Sequence, residues 1–450
     1  MKRKPSLFAK PKAGSKPQRS KQMVYPDVLE VESLSHEGRG IAKVDGKTIF
    51  ISGALPGESV KYKIDTQHRR YDEASCTEVI KASPQRVEAK CQHYGTCGGC
   101  DLQHLNHEDQ ISAKQTTVID QLDRLGHFTP ETIEQPIQSP EWNYRRSCRL
   151  GINQLQRDGS AIVGFRRRGS SKLTHISDCP VLAEPLNEIL KALPSILETE
   201  EDFKGITHAE LSEGDESGAL TLRIKKPLTD HLSEKLQQLA SEHNFSLFLD
   251  DGQKLQRTDK TAELFYQIEN SSTQVYFEPG DFIQVNASVN NQMINRAITW
   301  LDLSKDDRVL DLFCGVGNFT LPIAGHVAAI VGVEGVEEMV ERANQNASRN
   351  QLSNCSFYRA NLSKDLRALP WYKQGFNKII LDPPRTGALE VIKQLEKHQA
   401  DMILYVSCNP AALARDGAEL IKQGYRPSRF CVMDMFPHTS HVESLVLFER

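Results

Sequence analysis

The sequence VLDLFCGVGN at residues 309–318 decides the fold class of this chain. Its first half is apolar apart from one acid, which is typical of a buried strand, and an apolar helix is predicted to start near Phe319. A second apolar strand follows at residues 329–333, and two more are predicted at 378–381 and 402–406. Because strands that alternate with helices build a parallel sheet, we predict a doubly wound, Rossmann-like α/β domain at residues 279–450.

The turn inside this stretch predicts the type of cofactor. Gly315 and Gly317 let a ligand approach the backbone closely, but Thr320 stands where a dinucleotide fingerprint needs its third glycine. Glu334, at the end of the second strand, is placed to accept both hydroxyls of a ribose. A ribose-binding acid beside a helix N-terminus that can receive one carboxylate fits S-adenosylmethionine better than a dinucleotide.

Two later strands of the predicted sheet end in chemically useful groups. Asp382 opens the sequence DPPR, and Arg385 stands where amino-group methyltransferases usually carry an aromatic residue, which disfavours methylation of an exocyclic nitrogen. Cys408 comes directly after the strand at residues 402–406. Ligands of open α/β sheets bind outside the carboxyl ends of the strands, so this thiol, once ionised, is a candidate nucleophile. A buried structural cysteine is the common alternative.

The composition is that of a water-soluble protein of several domains. The chain has 450 residues, of which 39% are hydrophobic and 25% are charged, and no apolar run approaches membrane-spanning length. Residues 1–22 carry eight Lys and Arg, no acid and no apolar core, which predicts a disordered basic tail and not a secretory signal. We therefore expect a cytoplasmic protein without a membrane partner.

Charge and pattern distinguish the N-terminal part of the chain. Residues 1–100 hold 18 Lys and Arg against 11 Asp and Glu, although the whole chain has a net charge of −4. Within them, residues 23–82 alternate short apolar and polar runs with glycine turns, which predicts a small OB-like β-barrel. Small barrels commonly bind oligonucleotides, so RNA is the expected partner, although a plain barrel with solvated charges fits the pattern nearly as well.

The cysteine spacing predicts a second site. Ten cysteines without a secretory signal favour metal binding or catalysis over disulfides. Cys91, Cys97 and Cys100 are clustered, and Cys179 lies far downstream and is followed by a proline. Zinc sites usually use two short pairs of ligands, so this arrangement is closer to iron–sulfur spacing. The cysteines at positions 76, 148, 314, 355 and 431 are predicted to be packing residues.

With these residues assembled, the chain resembles the RNA uridine-C5-methyltransferase family. The resemblance in the C-terminal domain is carried by residues 282–286, 311–322, 334, 382–385, 407–410 and 438–443. Residues 38–42 and 53–58 are similar to the TRAM domain, an RNA-binding module. Within the family, a TRAM domain together with an iron–sulfur cluster is typical of enzymes that act on 23S rRNA, whereas the tRNA enzymes lack both.

The resemblance implies an activity and assigns roles to particular residues. The protein would use S-adenosylmethionine to form 5-methyluridine at a specific uridine of 23S rRNA, with Cys408 as nucleophile, Glu443 as general base and Phe282 stacked in the RNA-filled pocket. The cofactor and base site would be lined by Gln284, Phe313, Asn318, Glu334, Asn361 and Asp382. A 4Fe–4S cluster in a central α+β domain at residues 83–278 would be held by Cys91, Cys97, Cys100 and Cys179. The protein would act as a monomer.

The chemistry of uracil explains why a thiol and a carboxylate are both needed. C5 of uracil is too weakly nucleophilic to take a methyl group directly, but addition of a thiolate to C6 creates an enolate whose C5 can attack a sulfonium methyl. A carboxylate must then remove the C5 proton before the thiol can leave. The target base must also leave its stack to reach the thiol, so a flipped uridine is expected.

Three other interpretations stay open from the sequence. The catalytic motifs are shared with enzymes that modify tRNA or other rRNA uridines. A non-catalytic iron–sulfur RNA-binding protein would require Cys408 or Glu443 to be dispensable. A small-molecule or DNA C5-methyltransferase is disfavoured by the TRAM-like barrel and the basic tail.

Overall fold

The computed structural model describes residues 24–200, 203–259, 263–269 and 271–450, which form two compact units. One unit comprises the described part of Met1–Ser33 together with Gly40–Ala82, and the other comprises Leu34–Arg39 and Ser83–Arg450. The predicted basic tail at residues 1–22 lies outside the described residues. No helix in the described ranges combines the length and the apolar character needed to cross a lipid bilayer.

The N-terminal strands form one six-stranded sheet. They are β1 (Val28–Glu30), β2 (Ser33–Leu34), β3 (Gly40–Val44), β4 (Lys47–Ser52), β5 (Ser59–Gln67) and β6 (Tyr71–Lys81), in the order β1-β5-β6-β4-β3-β2. Asp45 and Gly46 join β3 to β4 with φ angles of 47° and 81°, as a two-residue hairpin turn requires. Ile49 and Ile51 alternate with partly exposed residues along β4 and are fully buried, so one face of the sheet supplies the core.

The second unit opens with a helix and a short strand that pack with the C-terminal part of the chain. They are α1 (His107–Gln121), followed by a π-helical turn (Leu122–Gly126), and β7 (Thr132–Ile133). The side chain of Asn106 caps α1 by accepting the amide of Asp109 at 3.0 Å. Val118 and Leu122 are buried in the same hydrophobic cluster as the C-terminal strands.

An α+β layer occupies the middle of the chain. Its elements are β8 (Ser147–Gln154), β9 (Ala161–Arg166), β10 (Leu173–His175), α2 (Glu184–Leu197), β11 (Ile206–Glu213), β12 (Gly218–Ile224), α3 (Asp230–Glu242), β13 (Phe245–Asp250) and β14 (Leu255–Arg257). The strands follow the order β10-β9-β8-β11-β12-β13-β14. β12 and β13 pair in parallel, and α3 supplies the crossover that such a pair requires. Leucines of α2 and α3 pack on Leu150 and Leu220 of the sheet.

The C-terminal part of the chain contains the largest sheet. Its elements are β15 (Phe265–Gln267), β16 (Gln274–Tyr276), α4 (Ala287–Trp300), β17 (Arg308–Leu312), α5 (Thr320–Ala324), β18 (Ala329–Glu334), α6 (Glu337–Arg349), β19 (Cys355–Arg359), a 3₁₀ turn (Trp371–Lys373), β20 (Lys378–Leu381), α7 (Leu389–Leu395), a second 3₁₀ turn (Glu396–His398), β21 (Met402–Ser407), α8 (Pro410–Lys422), β22 (Arg426–Met433) and β23 (Glu443–Glu449). β15 and β16 form a separate antiparallel pair. The large sheet has the order β19-β18-β17-β20-β21-β23-β22-β7.

The predicted doubly wound α/β domain is confirmed, with one difference. Five neighbouring strands, β19, β18, β17, β20 and β21, are parallel. β23 runs antiparallel to both β21 and β22, because the nine residues 434–442 that join β22 to β23 are too few for a crossover helix. β7 extends the sheet beside β22. The predicted central region thus contributes a strand to this sheet, and the division at 278/279 stays a prediction about regions within one compact unit.

Candidate active site

The predicted site residues follow the carboxyl ends of the parallel strands. Because these strands run in one direction, the residues that follow them share one edge of the sheet. In sheet order this edge carries Asn361 after β19, Glu334 at the end of β18, Phe313 after β17, Asp382 after β20 and Cys408 after β21. β23 runs the opposite way, so its first residue, Glu443, lies at the same edge. The fold therefore collects residues that are up to 130 positions apart in the chain.

The glycine turn after β17 is built around the Glu334 carboxylate. Phe313, Gly315 and Gly317 have φ angles of 66°, 56° and 101°, so the backbone follows a left-handed path that favours glycine. The amide of Gly315 donates to Oε2 of Glu334 at 3.2 Å. The amides of Gly335 and Val336 donate to Oε1 at 2.6 and 3.2 Å. These bonds fix the orientation of the carboxylate and leave further lone pairs that can accept hydroxyl groups.

Asn318 is held by a polar network that the sequence did not predict. Its side-chain amide exchanges two hydrogen bonds with Asn290 of α4, at 2.9 and 3.0 Å, and also accepts the hydroxyl of Tyr266 at 2.9 Å. The guanidinium of Arg146 lies over the Tyr266 ring at 4.5 Å and donates to the carbonyl of Gln284 at 2.8 Å. Gln284 and Asn318 are therefore connected through Arg146 and Tyr266. Arg146 is the second arginine of the NYRR sequence at residues 143–146, and its charged side chain is buried in this internal network.

Asn361 stands apart from this network. Its side-chain oxygen accepts the amide of Ser363 at 3.0 Å, which is the bond of a turn-forming asparagine. The loop begins beside the glycine turn, where the amide of Ala360 donates to the carbonyl of Glu334 at 2.9 Å. The position of Asn361 at the sheet edge is compatible with ligand contact, but its side chain is exposed and bonded within its own loop.

Two acids at the base of the site have raised pKa values. Burial raises the pKa of Asp311 to about 7, and the hydroxyl of Thr320 donates to its Oδ2 at 2.5 Å. Burial also raises the pKa of Asp382 to about 7. The sequence analysis assigned no role to Asp311 or Thr320 individually, although an acid inside an apolar strand is a signal in the sequence. Carboxyls with perturbed pKa values gathered at one sheet edge are typical of a functional site.

Cys408 and Glu443 meet at the far side of the same edge. Ser407 of β21 pairs with Ser444 of β23, so the next residue of one strand lies beside the preceding residue of the other. Burial raises the pKa of Cys408 to about 11, with a further increase from Glu443 and a decrease from Arg385. Burial likewise raises the pKa of Glu443 to about 8. A carboxyl with this pKa can accept and release a proton near neutral pH.

The backbone at Cys408 is also held by hydrogen bonds to α8 and to the loop after β20. Asn409 caps α8 by accepting the amide of Ala411 at 3.1 Å, and its Nδ2 donates to the carbonyl of Arg385 at 2.8 Å. The hydroxyl of Ser407 accepts the amide of Asn409 at 3.1 Å. The backbone that carries the Cys408 thiol is thus bonded to the loop that contains Asp382, next to the glycine turn.

The four clustered cysteines line a single cavity elsewhere in the second unit. The cavity has a volume of about 130 Å³, and its walls include Tyr94, Tyr144 and Phe165 together with Cys91, Cys97, Cys100 and Cys179. Burial raises the pKa of Cys100 to about 11 and of Cys179 to about 12. In the described ranges, no three His, Cys, Asp or Glu side chains are grouped closely enough to hold one metal ion.

Two family models match the chain. Residues 106–450 match the tRNA (uracil-5-)-methyltransferase model, and residues 28–76 match the TRAM domain. The first match covers the glycine turn, Cys408 and Glu443, and the second covers the N-terminal strands.

Curated relatives and a solved structure are similar over nearly the whole chain. The 23S rRNA (uracil(1939)-C(5))-methyltransferase RlmD of Xanthomonas euvesicatoria is 43% identical over 434 residues, which are 94% of this chain and 97% of that protein. The enzyme of the same name from Stenotrophomonas maltophilia is 42% identical with the same coverage. The Pyrococcus abyssi tRNA (uracil-54, C5)-methyltransferase in complex with S-adenosyl-L-homocysteine matches with a TM-score of 0.73 at 23% identity, and covers 94% of this chain and 100% of that chain. At that identity the structural match establishes the fold.

Proposed function

Since the chain belongs to the tRNA (uracil-5-)-methyltransferase family, we propose that it methylates C5 of a specific uridine in 23S rRNA with S-adenosylmethionine as the donor. The observation that carries the choice of substrate is the 43% identity to 23S rRNA enzymes over 94% of the chain and 97% of their length. By the name of those relatives, the target is the uracil at position 1939. The TRAM match at residues 28–76 supports an RNA substrate.

The cofactor site is assigned to the glycine turn and its neighbours. The fixed carboxylate of Glu334 is suited to accept the ribose hydroxyls of S-adenosylmethionine. The amides at the start of α5 are suited to bind the carboxylate of its methionine part. Gln284, Phe313, Asn318, Asn361 and Asp382 complete the proposed set. When bound there, S-adenosylmethionine supplies an electrophilic methyl group on a sulfonium. The positive charge of that group favours the ionised form of nearby carboxyls.

The proposed reaction uses Cys408 first. The thiol first loses its proton to solvent, and its Sγ then forms a bond to C6 of the flipped uracil while the electrons of the C5–C6 double bond move toward the C4 carbonyl, which gives an enolate. C5 would then take the methyl group from the sulfonium, and the bond from that methyl carbon to sulfur would break to leave S-adenosylhomocysteine. At this point C5 bears both a methyl group and a proton, and the Cys408 sulfur remains bonded to C6.

Glu443 completes the reaction. Its carboxylate removes the C5 proton, the C5–C6 double bond reforms, and the bond from C6 to Cys408 breaks to release the thiolate. Arg385 lowers the pKa of both Cys408 and Glu443, so it favours the ionised form of each. The guanidinium that replaces an aromatic residue in DPPR thus has a role in this chemistry.

The four-cysteine cavity fits a 4Fe–4S cluster. Four cysteines that line one cavity together with aromatic and apolar side chains supply the four thiolates that such a cluster requires. Cys91, Cys97, Cys100 and Cys179 would hold it, and a bound cluster supplies a covalent cross-link between the loop at residues 91–100 and the segment at 179. We assign it structural support and RNA contact, and no redox step.

The proposed regions, the role of Phe282 and the monomeric state are those predicted from the sequence. Residues 23–82 are proposed as the RNA-binding TRAM domain, 83–278 as the region that carries the cluster, and 279–450 as the catalytic region. Phe282, which is 68% exposed, is proposed to stack on RNA bases. The protein is proposed to act as a cytoplasmic monomer.

The proposed function is tested by methyl mapping on defined RNA. The purified protein is incubated with S-adenosylmethionine and either unmodified 23S rRNA or unmodified tRNA, and 5-methyluridine is located by mass spectrometry of nuclease fragments. We expect one modified uridine in 23S rRNA and none in tRNA. Methylation of tRNA with 23S rRNA unmodified would favour the tRNA alternative, and methylation of neither would contradict the proposal.

A further inference from the structure

The segment at residues 434–442, which leads to Glu443, is hydrogen-bonded to the cysteine-rich loop at residues 91–102. The carbonyl of His438 accepts two amides, those of Asp101 and Leu102, each at 2.9 Å. The hydroxyl of Ser440 donates to Oδ2 of Asp101 at 3.2 Å. Asp101 is the residue directly after Cys100, which lines the four-cysteine cavity. The amide of Ser440 donates to the same Oδ2 of Asp101 at 3.5 Å, so four hydrogen bonds connect the cysteine-rich loop to the loop between β22 and β23.

His438 is in a conformation that its neighbours must enforce. Its φ angle is 66°, a left-handed value that is costly for a residue with a side chain, and it is only 2% exposed. Its amide donates to Oε1 of Gln110 at 2.8 Å, and its ring stacks on Trp142 at 3.9 Å. Strained backbone persists where surrounding contacts over-determine it and is often found at functional sites. Loss of the bonds from Asp101 and Leu102 would allow this loop to relax.

The other side of Asp101 is fixed to the cysteine-rich loop. Nη2 of Arg168 lies 2.9 Å from Oδ1 of Asp101 and 2.6 Å from the carbonyl of Cys100. The hydroxyl of Tyr94, whose ring lines the cavity, donates to the carbonyl of Asp101 at 2.6 Å. The carboxylate of Asp101 is thus held by Arg168 on one oxygen while the other accepts Ser440.

We propose that Asp101 is a positioning residue for the general base, and that the state of the four-cysteine site reaches the reaction through it. The inference rests on the proposed role of Glu443, which begins β23 three residues after Ser440. Cys408 is anchored through Asn409, whose Nδ2 donates to the backbone carbonyl of Arg385 at 2.8 Å, whereas the contact of the Arg385 side chain with this loop is long, 3.5 Å from Nη2 to Nδ1 of His441. Loosening Asp101 should therefore slow removal of the C5 proton and leave addition of the thiol unchanged.

The test separates the two steps with matched variants. Asp101→Ala and Ser440→Ala each remove one end of the side-chain bond, Asp101→Asn keeps an oxygen that can accept Ser440, and Asp158→Ala in the exposed β8–β9 turn is the control. With a 23S rRNA fragment and S-adenosylmethionine, the rates of formation and breakdown of the covalent protein–RNA adduct are followed on denaturing gels. Iron content and hydrogen exchange across residues 434–443 are measured on the same samples.

We expect adduct breakdown to slow about tenfold in Asp101→Ala and Ser440→Ala, because small displacements of a catalytic group cost rate steeply. Adduct formation should stay within about twofold of the parent, Asp101→Asn should restore breakdown, and exchange at residues 434–443 should rise in the alanine variants only. If Asp101→Ala loses its iron, Ser440→Ala decides, because it lies outside the cysteine-rich loop.

Two results would overturn the inference. One is normal adduct breakdown in both alanine variants, and the other is an equal fall in formation and breakdown, which indicates a general structural defect. A parallel Glu443→Gln sample separates this failure from failure of the proposed function. If that sample also releases its RNA normally, Glu443 is not the base, and the fault lies in the proposed mechanism.

Discussion

Burial raises the pKa of Cys408 and of the four cavity cysteines alike, but their surroundings differ. Burial raises the pKa of Cys408 to about 11 and that of Cys100 to about 11. Cys408 lies at an open sheet edge beside Glu443, Asp382 and Arg385, whereas the cavity thiols face one another across aromatic and apolar walls. Acidity and burial therefore do not distinguish a nucleophile from a ligand here. The neighbouring groups do, because a carboxyl can move a proton and a ring of thiols can share a cluster.

The largest expected effect is the loss of activity when Cys408 is replaced. Cys408→Ala removes the sulfur that adds to C6, so the rate of methyl transfer to 23S rRNA should fall by about 10⁴-fold or more. Cys355→Ser, at the start of β19 and away from the carboxyl ends of the strands, serves as the control and should keep its activity. Covalent adduct in the Cys408→Ala sample would mean that another nucleophile is used.

The second largest expected effect is the loss of iron when a cysteine of the four-cysteine cavity is replaced. Cys179→Ser removes one of the four proposed ligands, so bound iron and sulfide should be lost and the thermal unfolding temperature should fall, because metal binding is coupled to folding. Cys148→Ser changes a buried thiol of the same core that does not line the cavity, and should retain iron. Iron content at the parent level in Cys179→Ser, or zinc without sulfide in the parent protein, would contradict the cluster assignment.

The smallest expected effect is a change in the pH dependence of adduct breakdown. Glu443 acts only as a carboxylate, and its pKa is raised to about 8, so adduct breakdown should accelerate as pH rises through about 8. Arg385 lowers that pKa, so Arg385→Ala should move the profile to higher pH, and by less at high salt. Arg157→Ala, an exposed arginine in the β8–β9 turn, should leave the profile in place. An unchanged profile in Arg385→Ala would remove Arg385 from the account.

The fold and the location of the site were predictable because they follow from local patterns. The apolar strands, the glycine turn and Cys408 after a strand are readable from adjacent residues, and parallel strands place such residues at one edge. The antiparallel β22–β23 pair follows from the short connection at residues 434–442 and was not predicted.

The polar networks could not be predicted because they join distant segments. Asp101 lies more than 330 residues from Ser440, and Tyr266 lies 52 residues from Asn318, so no local pattern connects the members of either pair. Arginine side chains show the same limit, because Arg146 is buried against Tyr266 and Arg168 pairs with Asp101, and neither partner is near in sequence. Charge predicts affinity for phosphate without revealing which partner the fold supplies.

The central claim is that Cys408 adds to the uracil and Glu443 removes the C5 proton. Its most direct test is peptide mass spectrometry of the Glu443→Gln variant after incubation with 23S rRNA and S-adenosylmethionine. Glutamine keeps the size of the side chain but cannot accept the proton, so the account predicts a methylated uridine covalently attached to the peptide that contains Cys408. Normal release of methylated RNA without an adduct, or an adduct on any other residue, would contradict it.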